Sequence, residues 1–174
     1  MKGNVMTFCQ DVAERIKRGE RIDAATARQL YDEPLDELTG TADELRAYFC
    51  GKTFDICTIK NARSGKCSEN CKFCAQSSFY HTDAEEYPML ETQELVDAAL
   101  SDASKGVLRY SIVTSGRKLR DVDVEQICET IRAIHERSDI QVCASIGLCT
   151  RDQFDEMKAA GLSRFHCNLE TSRR

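Results

Sequence analysis

The sequence predicts an α/β fold, a partial (βα) TIM-type barrel of parallel strands with an N-terminal helical extension. Two observations carry this prediction. After residue 53, short runs rich in β-branched residues alternate with longer segments of helical periodicity. Before residue 51, apolar residues recur at helical spacing among charged side chains. Such strand–helix–strand alternation implies parallel strands joined by right-handed crossovers. We therefore expect a helical segment at residues 1–50 and a partial barrel at residues 51–174.

The helical extension is predicted to contain three helices. The first covers about residues 4–21, and Asp23 is a plausible N-cap for the second, which Pro34 ends. Thr41 starts a T-A-D-E capping-box pattern, which predicts that the third helix begins there.

Four strands and three helices are predicted in the remainder. The strands cover residues 54–59, 107–114, 140–146 and 162–169, and the helices cover 92–105, 122–136 and 151–160. A closed eight-stranded barrel typically needs about 250 residues. Because this sequence supplies about half of one, we expect the barrel to be truncated or to be completed by another chain.

The composition excludes some function classes. The chain has 174 residues, with 24 Lys and Arg against 29 Asp and Glu, and a formal net charge of −5. The basic residues are scattered, so no nucleic-acid partner is expected. No apolar run approaches the roughly 20 residues that span a membrane, and residues 1–19 lack the apolar core of a secretory signal. We therefore expect a cytoplasmic protein.

Three of the ten cysteines form a compact pattern. Cys67, Cys71 and Cys74 follow the spacing C-x3-C-x2-C within a small, polar segment that is expected to be a loop. Thiolates are the ligands of iron–sulfur clusters, and three ligands for four irons leave one iron open to chemistry. Two alternatives remain from spacing alone: a zinc site with His81 as fourth ligand, or no metal.

Four further cysteines stand singly within apolar segments. A disulfide framework belongs to small secreted chains, so core packing is expected for Cys9, Cys50, Cys57 and Cys128.

The cysteine loop resembles that of a known family. Residues 67–78, C-S-E-N-C-K-F-C-A-Q-S-S, are similar to the cluster loop of the biotin synthase family of radical S-adenosylmethionine enzymes, including an aromatic residue, Phe73, before the last cysteine. Residues 109–116, 141–147 and 165–172 are similar to the second, third and fourth strands of that family. The resemblance runs from about residue 45 onward.

This resemblance implies a (βα)-barrel sulfurtransferase, usually a homodimer when full length. The family cleaves S-adenosylmethionine reductively at a [4Fe–4S] cluster, with an electron donor such as flavodoxin or ferredoxin. The resulting 5′-deoxyadenosyl radical abstracts hydrogen from dethiobiotin, so that sulfur insertion gives biotin. The cofactor supplies the chemistry, and the protein supplies position and shielding.

Matching positions then imply roles for single residues. Cys67, Cys71 and Cys74 would hold the [4Fe–4S] cluster. The backbone around Phe73 would meet the adenine of S-adenosylmethionine, and Thr114 and Ser115 would lie near its methionine end.

The predicted fourth strand carries further candidates. Because side chains alternate along a strand, His166, Asn168 and Glu170 should share one face. The resemblance implies that Asn168 contacts substrate and cofactor, and that the Glu170 carboxylate holds the cofactor ribose. His166 is a structural histidine or a ligand. Cys167 should point outward from the strand and pack.

The family also carries an auxiliary cluster, commonly [2Fe–2S], which donates the sulfur. Cys143 matches its third-strand ligand, whereas Ser111 stands where the second-strand cysteine is usual. This departure puts a standard auxiliary cluster in doubt. Cys149 and Cys167 are nearby cysteines that would either bind a differently ligated cluster or pack.

Two other functions compete with biotin synthesis. One is a different radical enzyme of the same barrel superfamily, such as a methylornithine- or hydrogenase-maturation-type relative. The other is a non-catalytic fragment that binds an iron–sulfur cluster. From the half barrel we expect the 174 residues alone to make little or no biotin.

Overall fold

The computed structural model describes residues 6–169. The chain divides into two compact units, Met1–Phe54 and Asp55–Arg174. The sequence places its domain boundary after residue 50, and that division stays a prediction.

The first unit is helical, as predicted. Its helices are α1 (Phe8–Lys17), α2 (Ala24–Leu30) and α3 (Leu35–Cys50). A capping box between Thr7 and Gln10 starts α1, and the Asp23 carboxylate caps α2 by accepting from the backbone N–H of Thr26 at 2.8 Å.

The predicted start of the third helix at Thr41 is wrong. Helix α3 begins at Leu35, directly after Pro34 at the N-cap, and Thr41 lies inside it. Acidic residues in its first turn, Asp36 and Glu37, interact favourably with the positive end of the helix dipole. The T-A-D-E pattern is therefore a chance match within a helix that has already started.

Helices α1 and α3 pack against each other. The Lys17 Nζ forms ion pairs with Glu14 at 2.8 Å and with Glu44 on α3, and lies 5.6 Å from the Tyr48 ring centroid. Between residues 6 and 54 the fully buried side chains are Cys9, Val12 and Ala13, all on α1. The apolar core of this unit is thus very small.

The second unit contains a four-stranded parallel sheet in the order β1-β2-β3-β4. Its elements, which alternate in the chain, are β1 (Cys57–Arg63), α4 (Thr92–Ser104), β2 (Arg109–Thr114), α5 (Asp121–His135), β3 (Gln141–Ser145), α6 (Arg151–Ala160) and β4 (Arg164–Phe165). Parallel strands in sequential order, joined by helices, are half of a (βα)8 barrel. The predicted fold class is confirmed.

The core lies between the sheet and α4–α6. Alternate residues of β2, Tyr110 and Ile112, are fully buried, as are Val142 and Ala144 on β3. Burying one such aliphatic side chain stabilises the fold by about 1.5–3 kcal/mol. The intervening residues, including Ser111, face the opposite side of the sheet.

Strands β2 and β3 match their predicted ranges to within two residues at each end, whereas the other two strands differ more. Strand β1 runs from Cys57 to Arg63 rather than from 54 to 59, because the polar residues after Ile59 continue its pairing with β2. Strand β4 has two residues rather than eight. Between residues 6 and 169, no helix is long and apolar enough to cross a membrane.

Candidate metal centre

The cysteine loop leaves β1 through a sharp turn. Gly65 and Lys66 both have positive φ, 77° and 49°. A Cβ on Gly65 would lie 2.6 Å from Cγ of Glu86, so this position requires glycine for both its backbone conformation and its close contact. The turn directs the loop toward the carboxyl ends of the strands.

Hydrogen bonds close the loop across its base. The Cys67 N–H donates to the Gln76 carbonyl at 3.0 Å, and the Ser78 N–H donates to the Cys67 carbonyl at 2.9 Å. Within the loop, the Cys74 N–H donates to the Cys71 carbonyl at 2.9 Å. The loop that presents the three thiols is therefore held by its own backbone.

The three thiols are half-buried and line one cavity. One zinc ion with Zn–S bonds of about 2.3 Å would draw their sulfur atoms to about 3.8 Å from one another. Among residues 6–169, one group of three His, Cys, Asp or Glu ligand atoms has all its members within 4.8 Å of one another. That group does not contain these cysteines. His81, the alternative zinc ligand, is exposed. The sulfur atoms of the three cysteines are therefore more widely spaced than the ligands of one zinc ion would be. This spacing favours ligands that bind separate irons of a cluster.

The cavity has a volume of about 680 Å³, within the range of small-molecule sites. It lies between the cysteine loop and the carboxyl ends of β2, β3 and β4, where barrel enzymes place their active sites. The strand ends contribute residues from three segments, namely 113–117, 145–148 and 166–169.

Three of the predicted cofactor residues line this cavity: Thr114, Ser115 and Asn168. The Thr114 Oγ1 is buried and has no hydrogen-bond partner among the described residues. The Ser115 Oγ donates to the Gly65 carbonyl at 2.7 Å and so joins the end of β2 to the start of the cysteine loop. Three thiols from one loop, beside polar residues at the strand ends, fit an iron–sulfur cluster next to a polar molecule.

Two other predicted residues are placed differently. Phe73 is 73% exposed and does not line the cavity, so its role beside the adenine stays a prediction. Glu170 lies outside the described residues.

The alternation predicted for the fourth strand does not apply. Because β4 ends at Phe165, the four residues that follow are irregular, and all of them line the cavity: His166, Cys167, Asn168 and Leu169. The outward packing predicted for Cys167 is therefore wrong, since Cys167 is an exposed residue on the cavity wall.

The cavity also carries an ion pair that was not predicted from the sequence. Arg117, two residues after Ser115, pairs with Glu69 of the cysteine loop at 3.1 Å, and both residues line the cavity. Gly147 also lines it, with a φ of 82° and its Cα close to the Arg117 carbonyl. Their positions directly after parallel strands are the signal that would have identified them.

Comparison with known proteins identifies the family. Residues 62–174 match the family described as the Radical SAM superfamily. The chain belongs to the radical SAM superfamily. The resemblance found in the sequence is thereby confirmed, and a [4Fe–4S] cluster and S-adenosylmethionine are the cofactors that this membership implies. The three thiols fit the cluster, and the polar residues that line the same cavity fit S-adenosylmethionine.

Relatives of this radical SAM protein are named as biotin synthases. It is 48% identical over 163 residues to "Biotin synthase" of Brachyspira hyodysenteriae, covering 94% of this chain and 49% of that protein. It is 48% identical over 169 residues to "Biotin synthase" of Akkermansia muciniphila, covering 97% and 53%. "Biotin synthase 2" of Corynebacterium diphtheriae is 50% identical over 165 residues, covering 94% and 50%. The chain thus spans about half the length of the curated relatives it matches.

A solved structure shows the same fold. The radical SAM chain superposes with a TM-score of 0.65 on HydG, described as a maturase of the [FeFe]-hydrogenase, at 16% sequence identity. The match covers 92% of this chain and 37% of HydG. At this identity the likeness concerns the fold alone.

Arg63 contacts the backbone of the cavity wall at Ser115. Its Nε donates to the Ser115 carbonyl at 3.2 Å, and its Nη1 lies 3.8 Å from the buried Asp123 carboxylate. Hydrogen bonding from Arg120 holds the pKa of Asp123 below its usual value. The positive charge of Arg63 lowers this pKa further. A buried, ionised Asp123 therefore fixes Arg63, and Arg63 fixes the backbone of Ser115.

The two residues predicted for the auxiliary cluster are neighbours. Ser111 and Cys143 are register partners on β2 and β3. Cys143 is buried, and this burial raises the pKa of its thiol, while Arg164 and Arg109 oppose the rise. At these two matched positions the described residues therefore supply one thiol, Cys143, and one hydroxyl, Ser111, and no chemical step follows from them.

The remaining cysteines divide into two groups. Cys9 and Cys128 are buried, as predicted for core residues, whereas Cys50 and Cys57 are exposed. The packing predicted for Cys50 and Cys57 is therefore wrong. Cys50 ends α3, and Cys57 starts β1, so each lies at the end of its element, where neighbours are few. Cys149 is half-buried, and its thiol pKa is raised by burial and, to a smaller extent, by Cys167.

Proposed function

We propose that this chain carries the S-adenosylmethionine-cleaving part of a biotin synthase. One observation supports the proposal above all others. Cys67, Cys71 and Cys74 line a single cavity together with Thr114 and Ser115, which the biotin synthase resemblance assigns to S-adenosylmethionine. Identities of 48–50% to proteins named biotin synthase support the same reaction.

In this proposal each residue has a physical task. The three thiolates would hold the cluster by three of its irons, which would leave the fourth open. When bound, the cluster and S-adenosylmethionine supply a one-electron cleavage that forms the 5′-deoxyadenosyl radical. The Ser115 hydroxyl, which donates to the Gly65 carbonyl at 2.7 Å, would hold the end of β2 against the start of the cysteine loop. Arg117 and Glu69 would join the loop after β2 to the cysteine loop through their ion pair on the cavity wall.

The substrate and partners are part of the proposal. Dethiobiotin is the substrate that the relatives' name suggests, with sulfur insertion as the reaction. An electron donor such as flavodoxin or ferredoxin would approach the cysteine loop, where Phe73 is largely exposed. The homodimer, the cytoplasmic location, the auxiliary cluster at Ser111 and Cys143, and the ribose contact of Glu170 remain predictions.

Anaerobic reconstitution tests the cluster. The 174-residue chain should bind about three to four irons, and replacing Cys67, Cys71 and Cys74 together by serine should abolish this binding. The matched control replaces two exposed cysteines, Cys50 and Cys57, and should keep the iron. Unaltered iron content in the triple variant would show that these thiols are not the ligands.

Turnover assays distinguish the candidate functions. With dithionite and S-adenosylmethionine, the reconstituted chain should release 5′-deoxyadenosine, and dethiobiotin should increase the amount. Stimulation by dethiobiotin supports biotin synthesis, whereas release without stimulation supports another radical enzyme. No release from an iron-loaded chain supports the non-catalytic alternative. We expect little or no biotin from these residues alone, and abundant biotin would contradict the inference that four strands are too few to shield a radical.

A further inference from the structure

A second group of metal-binding side chains lies within the helical unit. The Cys9 sulfur and one carboxylate oxygen each from Glu33 and Glu37 all lie within 4.8 Å of one another. Cys9 is in the first turn of α1, Glu33 directly precedes Pro34, and Glu37 is in the first turn of α3. The three ligands therefore come from two helices and the segment between them. Nothing in the radical SAM site uses these residues.

The Cys9 side chain points into this group from the core. Cys9 is 1% exposed, and no other side chain of residues 6–169 hydrogen-bonds to its sulfur. Neither Glu33 nor Glu37 forms an ion pair with a basic side chain in this same range. Two carboxylates held this close repel each other, and a neutral thiol offers no compensating charge. A divalent cation would offset both carboxylates at once.

The size of the core gives an independent argument. Between residues 6 and 54 the buried side chains are Cys9, Val12 and Ala13. A helical unit with so little apolar burial is of the kind that natural proteins stabilise with a metal or a disulfide. One of these three buried residues, Cys9, carries a thiol, so the small core also places a possible metal ligand beside two carboxylates.

We propose that Cys9, Glu33 and Glu37 form a structural site for a divalent cation of the zinc type, which ties α1 to the start of α3. One thiolate and two carboxylates suit zinc, which accepts both sulfur and oxygen ligands. Calcium and magnesium take oxygen ligands instead. Binding replaces the Cys9 thiol proton, which leaves to solvent, and a water completes four-coordination. Tetrahedral zinc would bring sulfur and oxygen to about 3.6 Å, a small movement from their present separation.

Cobalt titration of the full chain tests the site, because Co²⁺ reports thiolate ligation by a charge-transfer band. The starting protein is the variant in which the three cluster-loop cysteines are serine, so that the radical SAM site takes no metal. One Co²⁺ per chain should bind with a thiolate band, and zinc should displace it. Cys9→Ala should remove the band. Glu33→Gln together with Glu37→Gln should weaken Co²⁺ affinity at least tenfold.

Matched variants come from the same segment. Cys50→Ser removes an exposed cysteine of the same unit. Asp32→Asn together with Asp36→Asn removes two exposed carboxylates adjacent to the proposed ligands. Both controls should retain the thiolate band and the Co²⁺ affinity of the starting protein.

Zinc-dependent stability is a second measurement that needs no substitution among the ligands. Zinc should raise the thermal unfolding midpoint of the starting protein, because a ligand that binds only the folded state stabilises it. The absence of a thiolate band, or of any zinc effect on this midpoint, would overturn the proposal. So would unchanged Co²⁺ affinity in the double glutamine variant with its helix content retained.

Discussion

The turn after β3 places Gly147 against the loop after β2, and Gly147→Ala tests how closely these two cavity walls are joined. The φ of Gly147 is +82°, and a Cβ there would lie 2.3 Å from the Arg117 carbonyl oxygen and 2.7 Å from its carbon. The left-handed conformation costs a non-glycine residue about 1–2 kcal/mol. Overpacking against backbone atoms, which cannot rotate away, adds about 1–3 kcal/mol. We therefore expect Gly147→Ala to lower the free energy of unfolding by about 2–5 kcal/mol.

Gly106→Ala separates the two contributions. Gly106 has nearly the same φ, +83°, but a Cβ added there would meet nothing within 4 Å. It should therefore lose only the conformational part, about 1–2 kcal/mol. Urea unfolding followed by circular dichroism measures both variants, and their difference isolates the contact with Arg117. Losses that agree within about 0.5 kcal/mol would refute the close approach of the two loops.

Three further predictions concern buried groups of the second unit. Hydrogen bonding from Arg120 lowers the pKa of Asp123 from its ordinary value of 3.8. The ionised carboxylate therefore stabilises the fold at pH values above 3.8. This stabilisation is lost as the pH falls through the lower pKa of the folded state. Urea unfolding between about pH 5 and pH 3 should thus be less pH-dependent in Asp123→Asn. Tyr110→Phe removes a 3.1 Å hydrogen bond to a carbonyl of α4 and should cost about 0.5–1.5 kcal/mol in the same assay. Burial raises the pKa of the Cys128 thiol, so iodoacetamide should label the exposed Cys50 at least tenfold faster, as measured by peptide mass spectrometry.

Each of these predictions has a clear contrary result. An unchanged pH dependence in Asp123→Asn would contradict the ion-pair role of its carboxylate. Tyr31→Phe is the control for Tyr110→Phe, because Tyr31 is 91% exposed and should cost nothing. Comparable labelling rates at Cys50 and Cys128 would show that α5 opens readily.

The fold class and the cysteine loop were predictable because both depend on local patterns. Helix α6 runs over the predicted residues, Arg151–Ala160, since Thr150 caps it and Gly161 ends it in the left-handed conformation. The spacing of the cysteines selects a loop because the residues between them are small and polar. Neither inference requires knowledge of long-range contacts.

The errors arise where tertiary contacts decide. Among the strands of residues 6–169, β4 pairs only with β3, and after Phe165 the chain leaves the sheet, so the side-chain period of two no longer holds. That is why Cys167 lines the cavity instead of packing. The partnership of Arg117 with Glu69 joins residues that are 48 positions apart, and one sequence contains no signal for that pairing.

The hydrogen bonds across the base of the cysteine loop bear on how a cluster would be installed. Closing a loop costs conformational entropy, and the bonds from Cys67 to Gln76 and from Ser78 to Cys67 restrict the backbone on both sides of the thiols. Less freedom therefore remains to be lost when three thiolates are held at one cluster. A variant that breaks one of these bonds should weaken cluster binding even though all three ligands are kept.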